Sequence, residues 1–432
     1  MPTLDGDTTL SALVTRIAEG ESSPSEAVSD ALERLDRREP DVRAWVRVDR
    51  HGAQYAARQL DGEPAGGPLR GIPFGVKDII DVRDLPTECG SPLRQGRLAE
   101  TDAPLVARLR QLGAIPLGKT VTTEFAYFSP GPTRNPHNPA HTPGGSSSGS
   151  AAAVAAGVVP LALGSQTAGS LTRPAAYCGV AGFAAPVGGP LDTKGFAGLS
   201  PSLDTVGLLT PSVTDLHLVH EALTAGRLPG PLEPPTRPQL ALWSGTELTA
   251  VAADMQAALI RSAEDAVARG AVLVDVDWSA LTLRLVDTHS TIMAYEAARE
   301  LAAEGTHPDQ LSTPLNELLA HGRAISTTDY RQALALAERE RAAMLSLLAD
   351  VDAVLGPAAP GPAPKGLTAT GSPVLSRPWQ LLGLPVVTIP GHRNGQGMPL
   401  GMQLIGHPDR LEQLFALSSA MEHATGARRR PM

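Results

Sequence analysis

The sequence predicts an α/β fold in which a central mixed, mostly parallel sheet is flanked by helices on both faces. Three observations carry this expectation. Short β-rich runs alternate with helical segments along most of the chain, an order that builds sheets covered on both sides. The chain has 432 residues, 42% of them apolar, enough for one large buried core. Glycine (43) and proline (39) are abundant while aromatics make up 3%, so turns are frequent and core packing falls mainly to Ala, Leu and Val.

The elements follow in order. Residues 8–60 carry helical periodicity, with Leu10, Leu13, Val14 and Ile17 on one stripe and Ala27, Val28, Ala31, Leu32 and Leu35 on another. The intervening SSPSE supplies a helix cap. Residues 1–65 therefore read as a helical N-terminal segment packed on the core, and 66–432 as the principal domain. Gly71-Ile-Pro-Phe-Gly-Val is a strand ending at Lys77-Asp78. LVARLRQLG is then a helix, AIPLG a strand, AAAVAAGVV a helix and PLALG a strand. Further on, QLALW and AVLVDVD are strands on either side of an amphipathic helix from Ala252 to Arg269. AVLG (353–356), PVVTIP (385–390) and LGMQLIG (400–406) complete the sheet. The proline-rich stretches 228–238 and 356–364 read as surface crossovers.

Composition excludes several functions. Net charge is −9 with both signs interleaved, so the basic stripe that nucleic-acid binding needs is missing. The run Arg428–Arg430 at the C-terminal end reads as a solvated tail. No apolar stretch is long enough to span a bilayer; Ala151–Gly164 is too short and contains Pro160. The first residues, MPTLDGDTTL, lack the basic and apolar regions of a secretory signal. Two distant cysteines, Cys89 and Cys178, fit a reducing compartment, and the expected location is the cytoplasm.

The most informative segment is 143–182, PGGSSSGSAAAVAAGVVPLALGSQTAGSLTRPAAYCGVAG. Elsewhere such a Gly/Ser run would be a linker. Here it is short, feeds directly into an Ala-rich helix and strand, and is followed by a second small-residue turn at Gly169-Ser170. Two tight turns flanking one helix–strand unit suit a backbone that approaches a substrate closely. A serine hydroxyl needs a base to become nucleophilic, and no histidine is placed beside Ser170 in sequence. A lysine serves when burial keeps it neutral. Lys77, closing an apolar strand, is the candidate, with Asp78 and Asp81 as alternative salt-bridge partners.

GIPFGVKD (71–78), the whole of 143–182, SLDTVG (202–207), WQLLGLPVVTIPG (379–391) and PLGMQLIG (399–406) together resemble the amidase signature family, in the family's order and from about residue 66 onward. The resemblance implies the amidase-signature fold, a catalytic role for 66–432, and a Ser–cis-Ser–Lys triad. Lys77 is its base, Ser146 its middle serine and Ser170 its nucleophile, with a cis peptide between Gly145 and Ser146. The backbone N–H groups of Thr167, Ala168, Gly169 and Ser170 would form the oxyanion hole. The implied reaction is cleavage of a small carboxamide through a seryl acyl-enzyme, releasing ammonia or an amine. Acyl or ammonia transfer, as the catalytic subunit of an amidotransferase or as an amide-forming acyltransferase, is the alternative. Neither a metal nor an organic cofactor is expected. The expected partner is a small-molecule amide, not nucleic acid or membrane, and a homodimer is allowed for.

The stretch departs from the family's common GTDTGGSIR. Gln166 replaces an aspartate, Ala168 a glycine and Thr172 an arginine, with Arg173 following. This arrangement is similar to the malonamidase-like branch, where the equivalent arginine holds a substrate carboxylate; pairing with a structural carboxylate is the other reading of Arg173. Substrate-binding candidates are thus Arg173, Gln166, Gly145 and Tyr127, the last either lining the acyl pocket or packing in the core. Phe183-Ala184-Ala185-Pro186 also departs from the family's phenylalanine–lysine–proline.

Two motifs compete. GAIPLGKT (113–120) matches a phosphate-binding P-loop, with AVLVD (271–275) as its acidic strand, but Ile115-Pro116-Leu117 reads as strand where a loop is required. GSSSG (145–149) matches a nucleophile elbow at Ser147, without the preceding strand an elbow needs. His137 and His141 are four apart, but the prolines around them argue for a loop rather than a helical metal pair.

Overall fold

The structure, a computed structural model, describes residues 9–62 and 67–427. The first eight residues, the expected boundary at 65/66 and the Arg428–Arg430 run lie outside the described residues.

The N-terminal part opens with α1 (Leu10–Ala18), α2 (Pro24–Val42), strand β1 (Trp45–Val48) and α3 (Arg50–Asp61). Ser23 caps α2 and Glu26 returns a bond to the cap, with Pro24 at the first helical position. The principal region continues with β2 (Pro73–Lys77), α4 (Pro104–Gln111), β3 (Ile115–Thr120), α5 (Ser148–Ala155) and β4 (Leu161–Gln166). Then come α6 (Thr172–Cys178), β5 (Ala181–Ala184), β6 (Thr205–Thr210), α7 (Val213–Ala225), β7 (Gln239–Leu242) and α8 (Ala253–Ala268). After β8 (Val272–Val274) lie the long helices α9 (Ser279–Glu300), α10 (Thr313–Ala324) and α11 (Thr327–Asp350). The chain closes with β9 (Ala353–Pro357), α12 (Arg377–Leu381), β10 (Val386–Arg393), β11 (Pro399–Ile405) and α13 (Leu411–Ala427).

The eleven strands among the described residues join one mixed sheet in the order β1-β3-β2-β4-β6-β5-β10-β11-β9-β7-β8. β2 runs parallel to both β3 and β4, and β7 parallel to β8 and β9. Between these groups, antiparallel ladders link β4, β6, β5, β10, β11 and β9. Every residue of β2, β3, β4, β6, β9 and β11 is buried, as expected for strands covered by helices on both faces. No helix among the described residues is long and apolar enough to cross a membrane.

Three parts differ from the sequence expectation. Residues 45–48 form an edge strand inside the helical N-terminal segment, antiparallel to β3. Only that pairing makes WVRV a strand; the run is too short to show a period of its own. β5 and β6 are further strands not marked by alternation, since both lie inside the sheet and are apolar or small throughout. The helix read from AAAVAAGVV starts earlier, at Ser148 within the serine run, and stops before Gly157. α9, α10, α11 and α12 pack together as a helical layer that brings α9 and α12 to the functional site.

Candidate active site

The parallel pair β2–β4 sets Val76 opposite Leu163, so Lys77 leaves β2 beside the end of β4. There its Nζ donates to Ser146 Oγ at 2.6 Å and to Ser165 Oγ at 2.7 Å. Lys77 is wholly buried, and desolvation pulls its ammonium down to about 7, partly opposed by the negative field of Asp204. Neither carboxylate next to it in sequence is its partner. Asp78 pairs with Lys119 at 3.0 Å and Asp81 with Arg97 at 2.7 Å.

Ser146 follows a cis peptide from Gly145. Gly144 has φ +84°, and a Cβ there would sit 2.9 Å from Pro174 Cα; one on Gly145 would sit 2.8 Å from Thr370 Cγ2. Both positions therefore exclude larger side chains. Ser147 caps the turn from the other side, its Oγ accepting from Ser165 N and donating to Ser165 O, both at 3.2 Å.

Ser170 lies on the turn between β4 and α6 and lines a cavity of about 350 Å³ together with Ser146, Thr167, Ala168, Arg173, Tyr127 and others. Among the described residues, the N–H groups of Ala168, Gly169 and Ser170 have no hydrogen-bond acceptor, while those of Leu171 and Thr172 are taken by Gln166 Oε1. Of these three residues, Ala168 and Ser170 line the cavity. The turn is held from behind at two places. His289 Nε2 lies 2.8 Å from the Thr167 carbonyl, and Thr167 Oγ1 donates to Asp204, whose other oxygen accepts from Leu199 N and Ser200 N. Burial drives His289 down to about 3, so the ring is neutral, and its bond to a carbonyl places the proton on Nε2. Burial also pushes Asp204 up to about 6.

Gln166 is committed elsewhere. Its amide nitrogen donates to Gln380 at 2.9 Å, so with Leu171 and Thr172 its hydrogen bonds all run into the protein, and it does not line the cavity. Arg173 does line it. One guanidinium nitrogen donates to Gly145 O (2.6 Å) and Thr370 Oγ1 (3.2 Å), whereas Nε and Nη1 are buried without acceptors and no carboxylate pairs with the side chain among the described residues. Desolvation lowers its pKa to about 10. Tyr127 and Phe128, in edge contact at 4.8 Å, form another wall. They follow Phe125 and Ala126, two non-glycine residues at φ 44° and 61°, an unfavourable pair of conformations held by Phe125 N donating to Cys89 O.

The competing motifs are accounted for structurally. Ile115–Thr120 is β3 itself, and Lys119 is fixed in its ion pair, donating also to Pro86 O and Thr87 Oγ1, so no phosphate loop exists there. His137 and His141 reach backbone carbonyls of Cys178 and Ala363, and no cluster of His, Cys, Asp and Glu among the described residues could hold a metal. Sequence reasoning missed Ser165, His289, Arg377 and the role of Asp204. Ser165 was legible from strand register and Asp204 from the SLDTVG motif; His289 and Arg377 come from α9 and α12, far away in the chain.

The family model described as Amidase matches residues 26–415. A glutamyl-tRNA(Gln) amidotransferase subunit from Geobacter metallireducens is 32% identical over 97% of this chain and 97% of its own length. A solved amidase structure superposes with a TM-score of 0.88 at 32% identity, covering 97% of this chain and 100% of that one. The corresponding glutamyl-tRNA(Gln) amidotransferase subunit from Thermotoga maritima superposes with a TM-score of 0.79 at 25% identity, covering 98% and 96%.

Proposed function

The chain belongs to the amidase family, and on that premise we propose that it cleaves a small carboxamide through an acyl-enzyme on Ser170. The observation that carries the reading is Lys77, buried, titrating near 7 and 2.6 Å from Ser146 Oγ. A lysine of ordinary pKa would be protonated at neutral pH and unable to accept a proton; this one is poised as a base.

The steps follow from the placement. Neutral Lys77 takes the Ser146 proton as Ser146 takes that of Ser170, and the Ser170 oxygen adds to the amide carbonyl. The carbonyl π electrons move to oxygen, where the open N–H groups of Ala168, Gly169 and Ser170 receive the charge; one donor of this kind is worth roughly 2.7–4 kcal/mol. The tetrahedral adduct collapses as the relay returns a proton to the departing nitrogen, the C–N bond breaks, and ammonia or an amine leaves. Water, activated by the same relay in reverse, frees the acid. Ser165 fixes Lys77 against rotation, and Arg173, with two unpaired donors on the cavity wall, receives a carboxylate of the substrate.

Hydrolysis to the free acid is supported by the solved amidase, which superposes over nearly the whole chain. Transfer of the released ammonia within an amidotransferase of several subunits is the reading that the name borne by the full-length relatives favours. The purified chain, offered a panel of small amides, is expected to release ammonia unaided, and Ser170→Ala to abolish that release. Normal turnover by the Ser170→Ala protein sinks the acyl-enzyme. Ammonia release that requires further proteins moves the assignment to the amidotransferase reading.

A further inference from the structure

Arg377 opens α12 and lines two spaces at once: the cavity around Ser170 and a larger vestibule of about 1270 Å³ outside it. With Phe128, Thr370 and Pro373 it forms the seam between them. Its side chain has one hydrogen bond, from Nη1 to Ser290 Oγ on α9 at 3.0 Å, while Nε is buried without an acceptor. No carboxylate is within ion-pair distance of it among the described residues. The titratable groups that act on it and its surroundings are the Tyr127 hydroxyl, neutral His289, the second cation, Arg173, and the Glu317 carboxylate, whose field reaches Tyr127. The cavity wall therefore carries two guanidinium groups with free donors and no anion to match them. Arg173 is a buried charge without a counter-charge, which is costly, and the half-buried Arg377 on the same small space repels it besides.

We propose that Arg377 is a specificity-determining residue: it contacts the substrate's anionic group from the entry side, opposite Arg173. The inference rests on the reading of Ser170 and Arg173 given above and extends it. One carboxylate has lone pairs enough to accept from both guanidiniums, and the narrow space around Ser170 keeps the acyl chain short. The substrate class is a short carboxamide bearing a carboxylate, selected at the mouth before it reaches Ser170. A neutral amide of the same length gains nothing from Arg377.

The test compares succinamate with butyramide in the wild type, Arg377→Met and Arg377→Lys, and measures succinate binding by calorimetry to Ser170→Ala with and without Arg377→Met. Arg377→Met is expected to raise KM for succinamate about tenfold or more while kcat changes little. KM for butyramide shifts several-fold less than KM for succinamate, and Arg377→Lys recovers part of the loss. Added salt weakens succinamate more in the wild type than in Arg377→Met. Succinate binds Ser170→Ala and loses a similar factor when Arg377 is also replaced. Equal KM shifts for both amides, or equal succinate binding with and without Arg377, overturn the proposal. The binding arm needs no turnover, so an active Ser170→Ala protein refutes the acyl-enzyme alone, whereas intact succinate binding without Arg377 refutes the entry-side contact alone.

Discussion

The carbonyl oxygen of Thr167 is bound by His289 Nε2 at 2.8 Å, a bond that ties the turn carrying Ser170 to the middle of a helix more than a hundred residues later. Thr167 also donates through its hydroxyl to Asp204, so its carbonyl and its hydroxyl are both fixed before substrate arrives. The N–H donors that follow it are thereby aimed by the tertiary structure and not by the turn alone.

His289→Phe keeps the ring volume and removes the donor. It is expected to lower kcat roughly 10- to 100-fold with little change in KM, because misplaced donors weaken binding of the transition state more than that of the substrate. His289 is held near 3, so the pH profile of the variant should keep the wild-type shape. A change in KM with kcat intact would show that Thr167 does not need this anchor.

In the proposed reaction, Lys77 at about 7 sets the acid limb of activity. The base works when neutral, so kcat/KM should rise as pH passes upward through about 7 and then level off. Asp204 acts on Lys77 to raise its pKa. Asp204→Asn removes that negative field while keeping an oxygen for Thr167, and the limb should move to lower pH. Rate profiles measured over roughly pH 5 to 9 decide the matter; a limb that stays in place or moves upward excludes Asp204 as the controlling charge.

Asp78 and Lys119 form an ion pair in the interior, both almost inaccessible to solvent. Asp78→Asn leaves a buried lysine without its counter-charge, and a loss of about 3–5 kcal/mol in unfolding free energy is expected from denaturant titration. Replacing both, Asp78→Asn with Lys119→Met, should restore a large part of it. If the double variant is no more stable than the single one, the loss comes from the Glu88 N–H that Asp78 also binds.

The sequence alone determined the α/β class, most strands of the principal region and the three polar residues around which the proposed reaction is built. Periodicity and turn residues act over a few positions, and the two glycine turns and the strand ending at Lys77 are local features of that kind. β1, β5 and β6 were not legible because a four-residue strand, or one buried on both faces, has no alternation to read; its partners define it. Tertiary structure decided three further things. It assigned Asp78 to Lys119 and left Lys77 with two serines, a choice between neighbours that depends on which face of β2 each side chain takes. It turned Gln166 inward to Gln380, away from the cavity. It set Arg377, from a helix late in the chain, on the lining of the same cavity as a turn formed two hundred residues earlier. Pairings over such distances follow from how the layers stack, and a desolvated lysine exists only once the layers have closed over it.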